Sequence, residues 1–275
     1  MFNNPILSVI LPGIRKKNWL TFYKFLENSF NQSFELILVS PFEPEEELLN
    51  KNNVKFIKDF GSAARCQQIA LTYCNGKYIT WGADDGVFLK DKLQEAIEFL
   101  EKNKTSYKDI VTCKYFEGKG SGGVLHSSGK SEMSQDFYYK IKYACSWLNS
   151  PYVPEDYWIL NVGIIETKYA KEVGGWDAQF EGTSVAHMDF AIRAQRNGSV
   201  FYMLEKPIFV CTHTLGPSGD HIPIHFGQIE HDEPLLRQIY SRPDCVNRIK
   251  INLNNWENAA PIWQRRFGNN ISIKA

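Results

Sequence analysis

Short apolar runs recur along the first part of the chain, and each gives way to a segment whose apolar residues are spaced for a helix. Ile6 to Leu11 is almost wholly apolar, as a central strand covered on both faces requires. Pro12 and Gly13 end it and open a loop carrying Arg15, Lys16 and Lys17. Asn18 reads as an N-cap, and Trp19, Phe22, Tyr23 and Leu26 share one face of the helix that follows. Glu35 to Val39 forms a second strand. Pro44 ahead of Glu45, Glu46 and Glu47 marks a helix start, with acids at the positive end of the dipole. Val54 to Ile57 is a third strand. A helix then opens at Gly61 to Arg65, continues through Ile69, Ala70 and Tyr73, and stops at Asn75-Gly76. Tyr78 to Trp81 is a fourth strand. Asp91 and Gln94 have the spacing of a capping box, with Leu93, Ala96, Ile97 and Leu100 on one face behind them. Ile110 to Tyr115 is a fifth strand. This alternation predicts βαβ units and an α/β fold: a Rossmann-like, mostly parallel central sheet flanked by helices.

After Phe116 the pattern loosens. Gly118 to Lys130 is rich in Gly and Ser and reads as a loop, either an ordinary exposed one or a flap over a site. Phe137 to Trp147 has a helical pattern, and Tyr157 to Glu166 reads as a strand leading to Gly174-Gly175-Trp176-Asp177. His187-Met188-Asp189 precedes a helix that runs to Asn197-Gly198. Phe201 to Leu204 and Ile208 to Cys211 read as two strands. Thr212 to Glu233 holds His213, His221, His225 and His231, and the tail with Trp256 and Trp263 shows no sheet pattern.

The chemistry concentrates where the fourth strand ends, at Gly82-Ala83-Asp84-Asp85-Gly86. Ligands of open α/β sheets sit beyond the carboxyl ends of the strands. Two acids there suit a hard divalent cation shared with substrate phosphates. The plainer alternative is a polar turn, since Asp and Gly are common turn residues.

Composition narrows the field. The formal net charge is zero, which argues against an electrostatic affinity for nucleic acid or anionic membrane. Aromatics make up 14% of the chain, material for a core and for stacking on sugar rings. The six cysteines form no CxxC pair, which argues against a zinc site, and the four histidines after Cys211 match no common ligand spacing. No signal peptide or membrane-length apolar run is visible, so a reducing, cytoplasmic location is expected.

In order along the chain, Ser8 to Gly13, Gly61 to Arg65 with Asn75 to Ile79, Ala83-Asp84-Asp85, Gly174 to Asp177, and His187-Met188-Asp189 resemble the motifs of family-2-like, nucleotide-sugar-dependent glycosyltransferases with the glycosyltransferase A fold. The resemblance covers Ser8 to about Cys211. The sequence departs from the family in three places. Ala83 stands where the first acid of the Asp-x-Asp motif is expected, Met188 replaces one member of the later acidic pair, and Val39-Ser40-Pro41 lacks the acids that read the base.

The resemblance implies a hexosyltransferase-like enzyme that moves a sugar from a nucleotide-diphosphate donor to a glycan or lipid-linked acceptor with inversion. It implies a glycosyltransferase A-type domain over residues 1–211, with a nucleotide-sugar-binding half at 1–116 and an acceptor half at 117–211. Residues 212–275 would form an extension packed on the same domain. Pro12, Gly13, Arg15, Arg65 and Asp84 would bind the donor. Asp85, with His213, would hold Mn²⁺ or Mg²⁺ to stabilise the departing diphosphate. Asp189 would be the general base. Trp176 and Asp177 would hold the acceptor. A lipid-linked acceptor would bring peripheral membrane contact without a transmembrane segment. Plainer roles stand beside several of these. Arg65 would be a helix residue paired to a nearby carboxylate, Asp189 would pair with Arg193 at i,i+4, and Trp176 would be core. Two other functions fit less closely: a non-catalytic carbohydrate- or nucleotide-binding domain that keeps the fold, and a nucleotidyltransferase, for which Gly13 to Lys17 offers part of a triphosphate loop.

Overall fold

The structure, a computed structural model, describes residues 5–118, 134–136, 140–141, 148–211, 222–262 and 266. One sheet organises it. Strands β1 (Leu7–Pro12), β2 (Phe34–Ser40), β3 (Val54–Lys58) and β4 (Tyr78–Trp81) lie in the order β3-β2-β1-β4 and are mutually parallel. The sheet continues through β5 (Gly86–Phe88), β6 (Ile110–Gly118), β8 (Gly163–Glu166) and β9 (Phe201–Cys211), in the order β4-β8-β6-β9-β5. β8 runs antiparallel to both neighbours, β6 and β9 are parallel, and β5 is antiparallel to β9. β7 (Ser134–Asp136) pairs with β6 off this path. The expected α/β class with its flanked, mostly parallel sheet therefore holds.

Alternation along the strands builds two cores. Leu7, Val9 and Leu11 of β1 face α1 (Lys16–Ser29) and α4 (Lys92–Asn103), together with Leu36 and Leu38 of β2. Ile10, Ile37 and Val39 face α3 (Ala63–Tyr73) on the other side, where α5 (Thr167–Glu172) and α6 (Thr183–Arg196) also pack. The short α2 (Glu46–Leu49) starts behind Pro44 as its acids predict. Beyond β9, α7 (Ile222–Gly227), a π-helical turn (Gln228–Asp232) and α8 (Glu233–Tyr240) follow one another directly.

Several local expectations give way. α1 begins at Lys16, before Asn18, whose side chain instead donates to the Asp84 carbonyl. Asp91 flanks α4 at φ 60° and makes no side-chain cap, so the capping box does not form. Phe201 to Cys211 is one strand, and the stretch from Tyr157 is a strand only from Gly163. α6 starts at Thr183, which puts His187 and Asp189 inside a helix rather than ahead of it. The Gly118 to Lys130 loop and most of Phe137 to Trp147 lie outside the described residues.

Candidate functional site

The chain runs outward through β2 and β3, then returns to lay β4 on the other side of β1. The tips of β1 and β4 are thus a topological switch point, where a crevice forms between diverging connections. A cavity of about 520 Å³ opens there. Pro12 to Arg15, Val39 and Pro41 form its β1–β2 end, and Trp81 to Asp85 its β4 end. Ser62, Ala63, Cys66 and Gln67 of the α3 region form one side. Glu181, Ser184 and His187 come from the start of α6 and just ahead of it, and Gln228, Ile262 and Arg266 from the C-terminal stretch.

Pro12, Gly13, Arg15, Asp84 and Asp85 therefore come together as expected, but the two acids do different work. Asp84 Oδ2 accepts the backbone N–H of Ile14 at 2.6 Å and the Trp19 indole N–H at 3.0 Å. It also accepts the N–H of Arg15, while Oδ1 receives Arg15 Nη1 at 2.6 Å. Asp84 is a clamp that fixes the Gly13–Arg15 loop to the end of β4. Three of these donors converge on Oδ2 and one on Oδ1. Asp85 also lies in the wall. Arg15 Nη2 approaches its Oδ2 at 3.5 Å, and the Cys211 thiol donates to Oδ1 at 3.2 Å. Gly13 has to be small here, because a Cβ on it would sit 2.7 Å from Trp19 Nε1.

The other expected residues lie elsewhere. Arg65 starts a helix as foreseen, yet its guanidinium is committed: Nε and Nη2 donate to Asp59, and Nη1 donates to the carbonyls of Trp256 and Ala259. It fastens the C-terminal stretch to α3 and is not part of the cavity wall. Trp176 is fully buried against Trp81 and Phe190, so it cannot stack on an acceptor. The glycines ahead of it take φ of +87° and +68°, and a Cβ on Gly174 would collide with the Ile251 carbonyl.

Asp189 is also fully buried. Arg193 Nε donates to its Oδ2 at 2.8 Å, and Arg248 Nε and the Tyr240 hydroxyl both donate to Oδ1 at 2.8 Å. Asp177 joins the same cluster through Arg248 Nη2 at 2.6 Å. Burial alone would raise the Asp189 carboxyl, but the two guanidinium groups outweigh it and hold the group far below the ordinary carboxylate range. A base must reach the proton it takes. Asp189 is not among the residues that line the cavity, has both oxygens engaged, and is paired with Arg193 at i,i+4. His213 lies outside the described residues.

Residues not singled out in the sequence complete the wall. His187 Nε2 lies 3.0 Å from Gln67 Oε1, with its ring tilted against Trp81 at 5.2 Å. Burial pushes the imidazole down to about 3, so it is neutral. Glu181 sits just before α6, with Oε2 bound by Arg266 Nε. Asp232, in the π-turn, accepts the N–H groups of Glu181 and Gly182 at 2.8 and 2.6 Å and so caps α6 from outside. Burial raises the Asp232 carboxyl, against the opposing pull of His231 and these N–H groups. One signal was available for His187: its cavity-facing position becomes plain once α6 is started at Thr183, two positions away from the buried Asp189.

No group of three or more His, Cys, Asp or Glu side chains able to hold a metal occurs among the described residues. No helix among them is long and apolar enough to cross a membrane.

No family model matches the chain. Over 130 residues it is 28% identical to an uncharacterized glycosyltransferase of Rickettsia bellii (strain RML369-C), a match covering 42% of this chain and 19% of that protein. The chain thus spans about a fifth of that relative's length. Among solved structures it is similar to S. aureus TarS, with a TM-score of 0.53 and 17% identity, covering 98% of this chain and 75% of that one. The complexes of TarS with UDP and with UDP-GlcNAc match with TM-scores of 0.52, at 18% and 17% identity, again covering 98% of this chain and about three quarters of those. In sequence and in fold, then, the chain is similar to glycosyltransferases.

Proposed function

We propose that the chain is a glycosyltransferase that takes its sugar from a nucleoside-diphosphate donor, with UDP the first candidate because TarS binds UDP and UDP-GlcNAc. The observation that carries this reading is the cavity at the β1–β4 switch point, lined by the Gly13–Arg15 loop and by Asp85. The nucleoside would lie against the tips of β1 and β2, beside Val39 and Pro41. The diphosphate would meet the loop, where Arg15 offers a guanidinium to phosphate oxygens.

Asp85 is also the residue that would hold Mn²⁺ or Mg²⁺. Such ions keep several waters and are bound through one or two carboxylates plus substrate phosphates, so one cavity-facing carboxylate fits the requirement. The ion would neutralise the charge that develops on the leaving diphosphate. Arg15 next to Asp85 supplies part of the same charge from the protein itself.

Transfer requires the acceptor hydroxyl to attack the anomeric carbon while the diphosphate leaves with the bonding electrons. A single such displacement inverts the centre. The hydroxyl proton must pass to a group in the cavity. Among the carboxylates of the cavity wall, Asp84 holds the Gly13–Arg15 loop and Asp85 faces the donor's phosphates, so we assign the general base to Glu181, whose Oε2 is held by Arg266. A glycan or lipid-linked acceptor would approach along the side formed by Glu181 and the C-terminal stretch.

The test combines calorimetry with turnover. Nucleoside diphosphates and their sugars are titrated into the full chain with and without Mn²⁺, and release of diphosphate from the bound donor is followed. The wild type should bind one nucleotide class and release its diphosphate. Glu181→Gln should keep that binding and lose about 10²- to 10⁴-fold in rate. Binding without turnover in the wild type would favour a non-catalytic binding domain, and no nucleotide binding at all would sink the donor reading.

A further inference from the structure

Gln67 and His187 face each other from the second turns of α3 and α6, and neither the phosphate end of the cavity nor Glu181 engages them. Gln67 is 1% exposed, yet its Nε2 has no hydrogen-bond partner among the described residues. Its Oε1 is spent on His187 Nε2. With Nε2–H donating, the neutral ring carries its lone pair on Nδ1. The pair thus leaves the two N–H donors of the Gln67 amide and the His187 Nδ1 acceptor unspent. Turning the amide over exchanges the roles, and donor and acceptor capacity is still left unspent across the two residues. An unmade hydrogen bond in a buried place is costly, and such an orphan in a cavity wall points to a ligand that completes it.

What surrounds the pair indicates the ligand. The His187 ring packs on Trp81, an aromatic surface at the end of β4. Both residues stand on the helices α3 and α6 that line the cavity, not on the strand tips or the Gly13–Arg15 loop. On the donor reading given above, on which this inference rests, the transferred sugar lies between the diphosphate at Asp85 and the base at Glu181. His187 and Glu181 belong to the same wall.

We propose that Gln67 and His187 form the subsite that holds the transferred sugar, by engaging a substituent that both donates and accepts a hydrogen bond. An acetamido group, with its N–H and C=O, meets this description, and so does a hydroxyl. A hexose bearing either substituent is the ligand class this wall fits.

The experiment titrates UDP, UDP-glucose and UDP-GlcNAc into the full wild-type chain and into Gln67→Met, in the presence of Mn²⁺. UDP affinity should be the same in both within about twofold, while affinity for the sugar nucleotide falls about tenfold, the loss of one hydrogen bond. A fall confined to UDP-GlcNAc identifies the acetamido group, and a fall for both sugars identifies a hydroxyl. Gln67→Met removes the orphaned donor but also the acceptor of His187 Nε2–H, so its melting temperature should fall, and an unchanged UDP affinity shows that the cavity is still folded. Gln67→Glu, which puts an acceptor where the donor was, should show the same selective loss. An equal loss for UDP itself, or no loss for either sugar in both variants, overturns the sugar subsite while leaving the donor reading intact. A wild type that binds none of the three overturns the donor reading and this inference together.

Discussion

Two acidic centres in this molecule are built from the same side chains and end in opposite situations. At the tip of β4, Asp84 and Asp85 meet Arg15 in the wall of a cavity. Between α6 and the C-terminal stretch, Asp189 and Asp177 meet Arg193 and Arg248 and do not line that cavity. The first centre is drawn from segments that meet at a switch point of the sheet, where diverging connections leave space. The second joins a helix interior to a loop some sixty residues later in sequence, and packing closes over it. Aspartate beside arginine therefore does not by itself mark chemistry. What separates the two is whether the carboxylates line a cavity.

The comparison is tested most severely at Asp189. Removing one partner of a buried ion pair leaves the others charged and unpaired, and costs about 3–5 kcal/mol. Asp189→Ala strands Arg193, which is wholly buried, and frees Arg248 and Tyr240 to release the C-terminal stretch. Urea unfolding should show a loss of that size, with nucleotide affinity preserved wherever the variant remains folded. A stable variant that binds donor but does not turn over would restore Asp189 to catalysis.

The next effect is a pH dependence. His187 is held at about 3 in the folded chain against 6.5 ordinarily, by burial. A group depressed in this way contributes stability that is complete above its unfolded pKa and is lost as pH falls toward the folded one. The slope is about 1.4 kcal/mol per pH unit for one proton. Asp189, also depressed, adds its loss only below the unfolded aspartate value of about 3.9. Asp232, raised by burial, works in the opposite direction, since protonating it relieves a buried charge. The wild-type urea midpoint should therefore begin to fall below about pH 6.5, and His187→Gln should remove most of the slope between there and about pH 4. A wild-type midpoint that stays flat across this window would contradict a buried neutral imidazole.

These contrasts explain what the sequence made legible. Tyr78–Trp81 was readable because a fully buried parallel strand is a continuous apolar run, and its end located Asp84 and Asp85 without any knowledge of neighbours. Pro12, Gly13 and Arg15 followed from the same rule about strand tips. Arg65, Trp176, Asp177 and Asp189 were placed by motif order. Beside nearer partners such as Asp59 and Arg193, the contacts that bind Arg65, Asp177 and Asp189 come from Arg248 and the 256–259 stretch, which has no periodicity. A chain-local pattern cannot announce a partner that arrives from an irregular tail. Gln67 and His187 were passed over for a related reason. Each sits in an ordinary helical pattern, and the unspent hydrogen bond that distinguishes them exists only once α3 and α6 face each other.

The smallest effect on stability should come from repeating the aspartate change at the open centre. Asp85→Asn keeps the shape, and Arg15 retains its bond to Asp84 at 2.6 Å, so no charge is left buried without a partner. The loss in urea should stay below about 1 kcal/mol, in the range of a single neutralised contact. Donor binding should respond instead, with a weaker dependence on Mn²⁺ and a fall of about tenfold or more in affinity for the sugar nucleotide, as expected for a lost charge-assisted contact. Set beside Asp189→Ala, this variant separates the two centres by what each loses: one its fold, the other its ligand. If Asp85→Asn instead unfolds the chain while Mn²⁺ dependence is unchanged, then Asp85 belongs with Asp84 to the scaffold of the loop, and the diphosphate rests on Arg15 and the backbone amides that Asp84 holds in place.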